Sequence, residues 1–176
     1  MRRDHRWLVL LGTSILLWFI IGEVNHHLAR WNLSLYVGGL MLTFGLLYFP
    51  RKTGLLHALF LGLWMDAASP QPFGLSMVLF ALAHLTFFHF KQKLPTEETV
   101  TAVSFALLLN AGIFLFLTLW HLTGVPDFAG YALKAATDFL LSQILILLIA
   151  PWYLALQNEI LHYCGIFLER EQRMVE

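Results

Sequence analysis

Apolar residues along this chain do not alternate with polar ones; they fall in long runs separated by short polar groups. The first run covers residues 7–21, behind Arg2, Arg3 and Arg6, and gives way to Gly22-Glu23-Val24-Asn25-His26-His27. A basic start before an apolar stretch resembles a secretory signal, but no small-residue cleavage site follows, so the run reads as an uncleaved helix. The second run, 33–49, stops at Pro50-Arg51-Lys52-Thr53-Gly54, where proline and glycine both oppose helix continuation and predict a tight hairpin. The third, 55–66, is short and leads through Ser69, Pro70 and Pro72 to Gly74, where the uncharged fourth run, 74–90, begins. A fifth run, 98–122, follows Pro95-Thr96-Glu97-Glu98, in which Thr96 suits a helix cap and the glutamates suit the positive end of the helix dipole. The sixth, 132–156, contains Pro151, which a membrane helix tolerates where neighbours satisfy the freed carbonyl.

Roughly 20 apolar residues are needed to cross the hydrocarbon core as a helix. The pattern therefore predicts an all-α polytopic membrane protein, a compact bundle of six transmembrane helices forming one domain over 1–156. Beyond it, 157–176 predicts a cytoplasmic amphipathic tail, with Ile160, Leu161, Cys164, Phe167 and Leu168 at roughly helical spacing. That tail either lies on the leaflet or extends the sixth helix. No internal repeat or linker marks a second domain.

Composition agrees with the pattern. Of 176 residues, 59% are apolar and 12% charged, and the mean hydropathy is +0.70, which excludes an ordinary water-soluble domain. A net charge of zero leaves no electrostatic footprint for nucleic acid. Charge placement is more informative, because Lys and Arg accumulate in cytoplasmic loops. With the amino terminus inside, Arg2, Arg3, Arg6, Arg51, Lys52, Lys91, Lys93, Arg170 and Arg173 fall on the cytoplasmic side, and only Arg30 and Lys134 fall outside. Both termini are then cytoplasmic, and Arg51, Lys52, Lys91 and Lys93 act as topology determinants. Trp and Tyr, which favour the membrane interfaces, fit the same map: Trp7, Tyr48, Trp152 and Tyr153 near inner ends, Trp18, Trp31, Tyr36, Trp64, Trp120 and Tyr131 near outer ends.

Catalytic constellations are missing from the sequence. Eight histidines include no pair at the i, i+4 spacing of a helical metal site and no His-Glu-x-x-His. No serine lies in Gly-x-Ser-x-Gly, and the single cysteine, Cys164, has no activating neighbour pattern. The expectation is a non-enzyme with no cofactor and no metal. Gly38-Gly39 reads as a site of close helix packing. Asp138, followed by Ser142 and Gln143, is the strongest intramembrane candidate, with Asn110 a further polar position. It reads either as part of a polar seam that joins helices or holds a small ligand, or as a hydrated carboxylate near the headgroups.

The most distinctive stretch is Gly62-Leu-Trp-Met-Asp66-Ala-Ala-Ser69-Pro70-Gln-Pro72-Phe-Gly74-Leu75. A carboxylate at the carboxyl end of a helix opposes the helix dipole, so Asp66 needs another partner. Asp66 and Ser69 are placed to accept backbone N–H groups at the start of the fourth helix, giving a rigid turn that serves the fold, a partner protein, or both. Together with Pro50-Arg51-Lys52, Gly54-Leu55 and Leu61-Gly62-Leu63, this stretch resembles the rod shape-determining protein MreD family over about Trp31 to Leu85. Ser69-Pro70 stands where many members have Ser-Gly, and Asn32 where an acidic residue often precedes the second helix. The resemblance implies a non-catalytic, multi-pass scaffold subunit of the bacterial cytoplasmic (inner) membrane. It implies association with an MreC-like membrane protein, with a wall-synthesis glycosyltransferase and transpeptidase, and indirectly with the actin-like MreB filament. Gly62, Asp66, Ser69, Pro72 and Gly74 are the positions that carry the family's signature turn. The alternative is a substrate-binding subunit of an energy-coupling-factor type transporter, with polar groups such as Asp66, Asn110 and Asp138 converging on a pocket.

Overall fold

The computed structural model describes residues 5–69, 72–91, 99–122 and 127–166. Arg2, Arg3, Pro70, Lys93, the Pro95–Glu98 cap and the tail residues Phe167, Leu168, Arg170 and Arg173 lie outside them. All regular structure among the described residues is helical: α1 (Arg6–Leu28), a 3-10 turn (Ala29–Trp31), α2 (Gly38–Tyr48), α3 (Arg51–Ala68), α4 (Leu75–Lys91), α5 (Thr99–Leu122) and α6 (Phe128–Tyr163). Among these, α1 with its 3-10 extension, α5 and α6 are long and apolar enough to cross a membrane; α2 and α4 are apolar but shorter. Many large apolar side chains face outward, including Leu16, Leu108, Leu140 and Leu148, each at least 60% exposed. Such an exterior suits lipid as solvent better than water.

Helix α2 is the hub. It is apolar all round, and every residue from Gly38 to Leu47 is buried, the arrangement expected of a helix enclosed by others. It touches α1, α3, α4, α5 and α6. The expected helix over 33–49 is helical only from Gly38 to Tyr48; Leu33–Val37 is a non-helical entry segment. Asn32, in the left-handed region at φ 56°, ends the 3-10 turn, and side chains from other helices take up the backbone groups that a longer helix would have used internally. At the other end Phe49 is extended at φ −94°, ψ 154°, as steric contact with the following proline favours, and Pro50 starts α3 at once. Gly54 N–H donates to Pro50 O at 2.9 Å. Arg51 and Lys52 are exposed at this hairpin.

Helices α3 and α4 form an antiparallel pair, in which a Cβ at Gly62 would lie 2.5 Å from Met77 Cα and 2.8 Å from Ser76 O, so only glycine permits this approach. Helix α6 is 36 residues long, roughly 54 Å at 1.5 Å per residue. It begins earlier than expected because the Asp127 carboxylate accepts Gly130 N–H at 3.0 Å, and it runs through Pro151 and on to Tyr163. The first part of the expected tail is therefore a continuation of the sixth helix.

Candidate functional site

At the α3–α4 junction, Asp66 is 3% exposed and holds the start of α4 with both oxygens. Its Oδ2 accepts Gly74 N–H at 3.0 Å and Met77 N–H at 3.1 Å; its Oδ1 accepts Ser76 N–H at 2.8 Å. These are the donors that a helix start leaves without intrahelical partners, and the N-terminal dipole of α4 favours a negative charge there. The unfavourable position of Asp66 on α3 is thus compensated across the turn. Gly74 adopts φ 97°, which L side chains disfavour, and Pro72 and Phe73 are exposed beside it. Gly62, Asp66, Ser69, Pro72 and Gly74 all gather at this junction, and the three α4 donors go to Asp66.

A second constellation surrounds the non-helical segment that enters α2. Asp138 Oδ1 accepts Ser34 N–H at 2.9 Å, and Oδ2 accepts the Ser34 hydroxyl at 2.8 Å and Lys134 Nζ at 2.5 Å. The Ser142 hydroxyl accepts Tyr36 N–H at 2.9 Å and donates to Asp138 O at 2.6 Å. Asn110, fully buried at the middle of α5, accepts Gly39 N–H at 3.1 Å and donates to Tyr36 O at 3.2 Å. Asn25 closes the set, accepting Leu35 N–H at 2.7 Å and donating to Leu35 O at 2.9 Å. Four side chains from α1, α5 and α6 thus do for residues 34–39 what a neighbouring strand would do. Without them these backbone groups would be unpaired in an apolar interior, at a cost of several kcal/mol each. Gly39 presses against the Asn110 backbone so closely that a Cβ has no room.

Asp138 is 4% exposed, not a hydrated surface carboxylate. Lys134 brings a counter-charge one turn away and Ser34 brings two donors, which together offset its burial. Gln143 does not join this set; it donates to Leu107 O at 3.2 Å. Beside these contacts lies an open cavity of about 290 Å³ between residues 34–36, α5 and α6, with Phe114, His121, Tyr131, Lys134 and Asp138 among its walls. Asp66 and Asn110 do not line it.

A third polar group escaped the sequence reading. Ser14 Oγ lies 3.3 Å from both His57 Nε2 and Tyr153 OH, and Gln157 Nε2 donates to Tyr153 OH at 2.8 Å and to Thr13 Oγ1 at 3.1 Å. His57, the one histidine on α3, is fully buried in this cluster. Tyr153 and Gln157 are four apart on α6, the spacing that would have marked a shared helix face. This group ties α1, α3 and α6 together, and Nδ1 of His57 and Oε1 of Gln157 are buried there with no hydrogen-bond partner among the described residues. No set of three or more His, Cys, Asp or Glu side chains among the described residues is placed to hold a metal ion. Compared with known proteins, the chain matches no family model, no curated protein and no solved structure.

Proposed function

We propose that this chain is a non-catalytic scaffold subunit of the bacterial cell-elongation complex, a multi-pass protein of the cytoplasmic membrane whose six helices all cross the bilayer with both termini inside. Its role in this reading is to hold an MreC-like membrane protein, and through it the enzymes of lateral wall synthesis, in one assembly linked to an MreB filament. The observation that carries the reading is the Asp66 turn. One buried carboxylate fixes the start of α4, a positive-φ glycine completes the bend, and Phe73 stands 72% exposed on it. A helix start held this firmly beside an exposed aromatic side chain suits recognition of another protein, since a pre-ordered surface loses little entropy on binding. Exposed Arg51 and Lys52 sit at the proposed cytoplasmic face, where anionic lipid attracts them and sets orientation.

Crosslinking in native membranes, followed by mild-detergent purification, tests the proposal. Recovery of a single-span MreC-like protein with wall-synthesis enzymes, reduced by Phe73→Ala without loss of the folded chain, supports it. Recovery of a coupling protein with ATPase subunits instead supports the second reading, a substrate-binding transporter subunit, which the cavity beside Asp138 favours.

A further inference from the structure

The open cavity between residues 34–36, α5 and α6 has a pair of opposite charges among partly aromatic walls, and its polar groups are not all spent on the fold. Lys134 Nζ carries three N–H donors, of which Asp138 takes one. Asp138 is also held by two hydrogen bonds from Ser34, so its position does not depend on Lys134 alone. His121 Nδ1 lies 2.7 Å from Leu117 O and donates to it, which leaves Nε2 as the ring nitrogen open to a ligand. The Tyr131 hydroxyl donates to Thr118 O at 3.1 Å and retains its own lone pairs. Phe114, Leu117 and the ring of Tyr36 supply apolar surface.

Two features narrow the ligand. The volume, about 290 Å³, lies at the small end of ligand pockets, roughly 300–1,000 Å³, and suits one molecule of amino-acid size or one lipid headgroup. The charges of Lys134 and Asp138 cancel, so a lone anion would come to rest near a carboxylate and a lone cation near an ammonium, each without net compensation. A molecule bearing both charges meets both walls with the correct sign. We propose that this cavity binds a primary-ammonium zwitterion with an apolar body, its anionic group on Lys134 and its ammonium toward Asp138 and the acceptors of His121 and Tyr131. Two sources share that chemistry, a free α-amino acid with an apolar side chain and the headgroup of phosphatidylethanolamine. The inference stands on the cavity and does not depend on the scaffold reading.

The test uses the full chain in nanodiscs of phosphatidylglycerol, which offers no ammonium, with retained molecules identified by native mass spectrometry. L-leucine, L-phenylalanine and L-tryptophan are added singly, and phosphatidylethanolamine is doped into separate discs. Saturable retention of an amino acid assigns the free ligand, and retention of phosphatidylethanolamine alone assigns the lipid; either upholds the proposal. For an amino acid, the analogues lacking the amine or the carboxylate bind at least about tenfold more weakly, the effect of losing one charge-assisted hydrogen bond. For the lipid, phosphatidylcholine, whose quaternary ammonium donates no hydrogen bond, is the corresponding control. Ala135→Trp, which fills the cavity and leaves the charge pair intact, abolishes retention, and Lys134→Gln weakens it by about tenfold or more. Retention of neither class, equal binding of the single-charge analogues, or undiminished binding in folded Ala135→Trp overturns it. The analogues act on the unaltered chain, so that outcome is independent of whether a variant folds.

Discussion

The Asp66 turn and the non-helical segment before α2 solve the same problem, backbone groups left over at the start of a helix, by opposite means. At α4 a single carboxylate from the preceding helix accepts three N–H groups that lie 8, 10 and 11 residues away. At α2 four neutral or paired side chains on three helices share the task, and except for Asn25 they lie 71 to 106 residues away. The first device needs only a hairpin to form. The second needs most of the bundle, so the α2 entrance is a tertiary structure and not a local one.

The contrast is broken most severely at Gly39. Gly39→Val drives two methyl groups into the Asn110 backbone and is expected to cost about 4 kcal/mol or more, enough to lose the folded chain. Size-exclusion chromatography in mild detergent then shows aggregate where the parent elutes as one species. Next is Asp66→Ala, which orphans three donors at about 1 kcal/mol each and lowers stability by about 3 kcal/mol. Asp66→Asn is expected to recover little of it, because its amide nitrogen would face N–H donors; thermal unfolding of the two variants side by side checks this. A carboxylate acting only through its charge would instead leave both variants with a deficit that shrinks as salt is added.

Asp138→Ala is expected to cost about 2 kcal/mol and, unlike Asp66→Ala, to speed amide hydrogen exchange at Ser34 and Tyr36 while leaving α4 protected. Loss of protection in α4 as well would erase the distinction between a local and a distributed device. The smallest effect is expected from Asn25→Ala, about 1 kcal/mol, since Asn25 is only half-buried and water can replace it at Leu35. Limited proteolysis within 29–35 measures that loosening directly.

The same difference in range explains what the sequence could reveal. Apolar runs located all six described α-helices, and the need of Asp66 for N–H donors was readable because donor and acceptor share one turn. The Pro50 hairpin was readable for the same reason. The break in the second run was not, because Leu33–Val37 is as apolar as a helix, and the groups that make non-helical backbone tolerable there are Asn110, Asp138 and Ser142, far along the chain. Lys134 could have been paired with Asp138 from i, i+4 spacing alone, which would have argued for a buried carboxylate. Thr13 and Ser14 gave no such hint, since their partners Tyr153 and Gln157 are at the opposite end of the sequence.

The distributed anchoring of residues 34–39 also sets an order of events during synthesis. Gly39 must wait 71 residues for Asn110, and Ser34 and Tyr36 must wait 104 and 106 residues for Asp138 and Ser142. Until α6 has left the ribosome, Ser34 and Tyr36 lack the acceptors of their N–H groups, which must be sheltered by water, by lipid headgroups or by the insertion machinery. Helix α6 is therefore the one that locks α2 into place, and truncation before Asp138 leaves a nascent chain in which the α1–α2 hairpin is still unfinished.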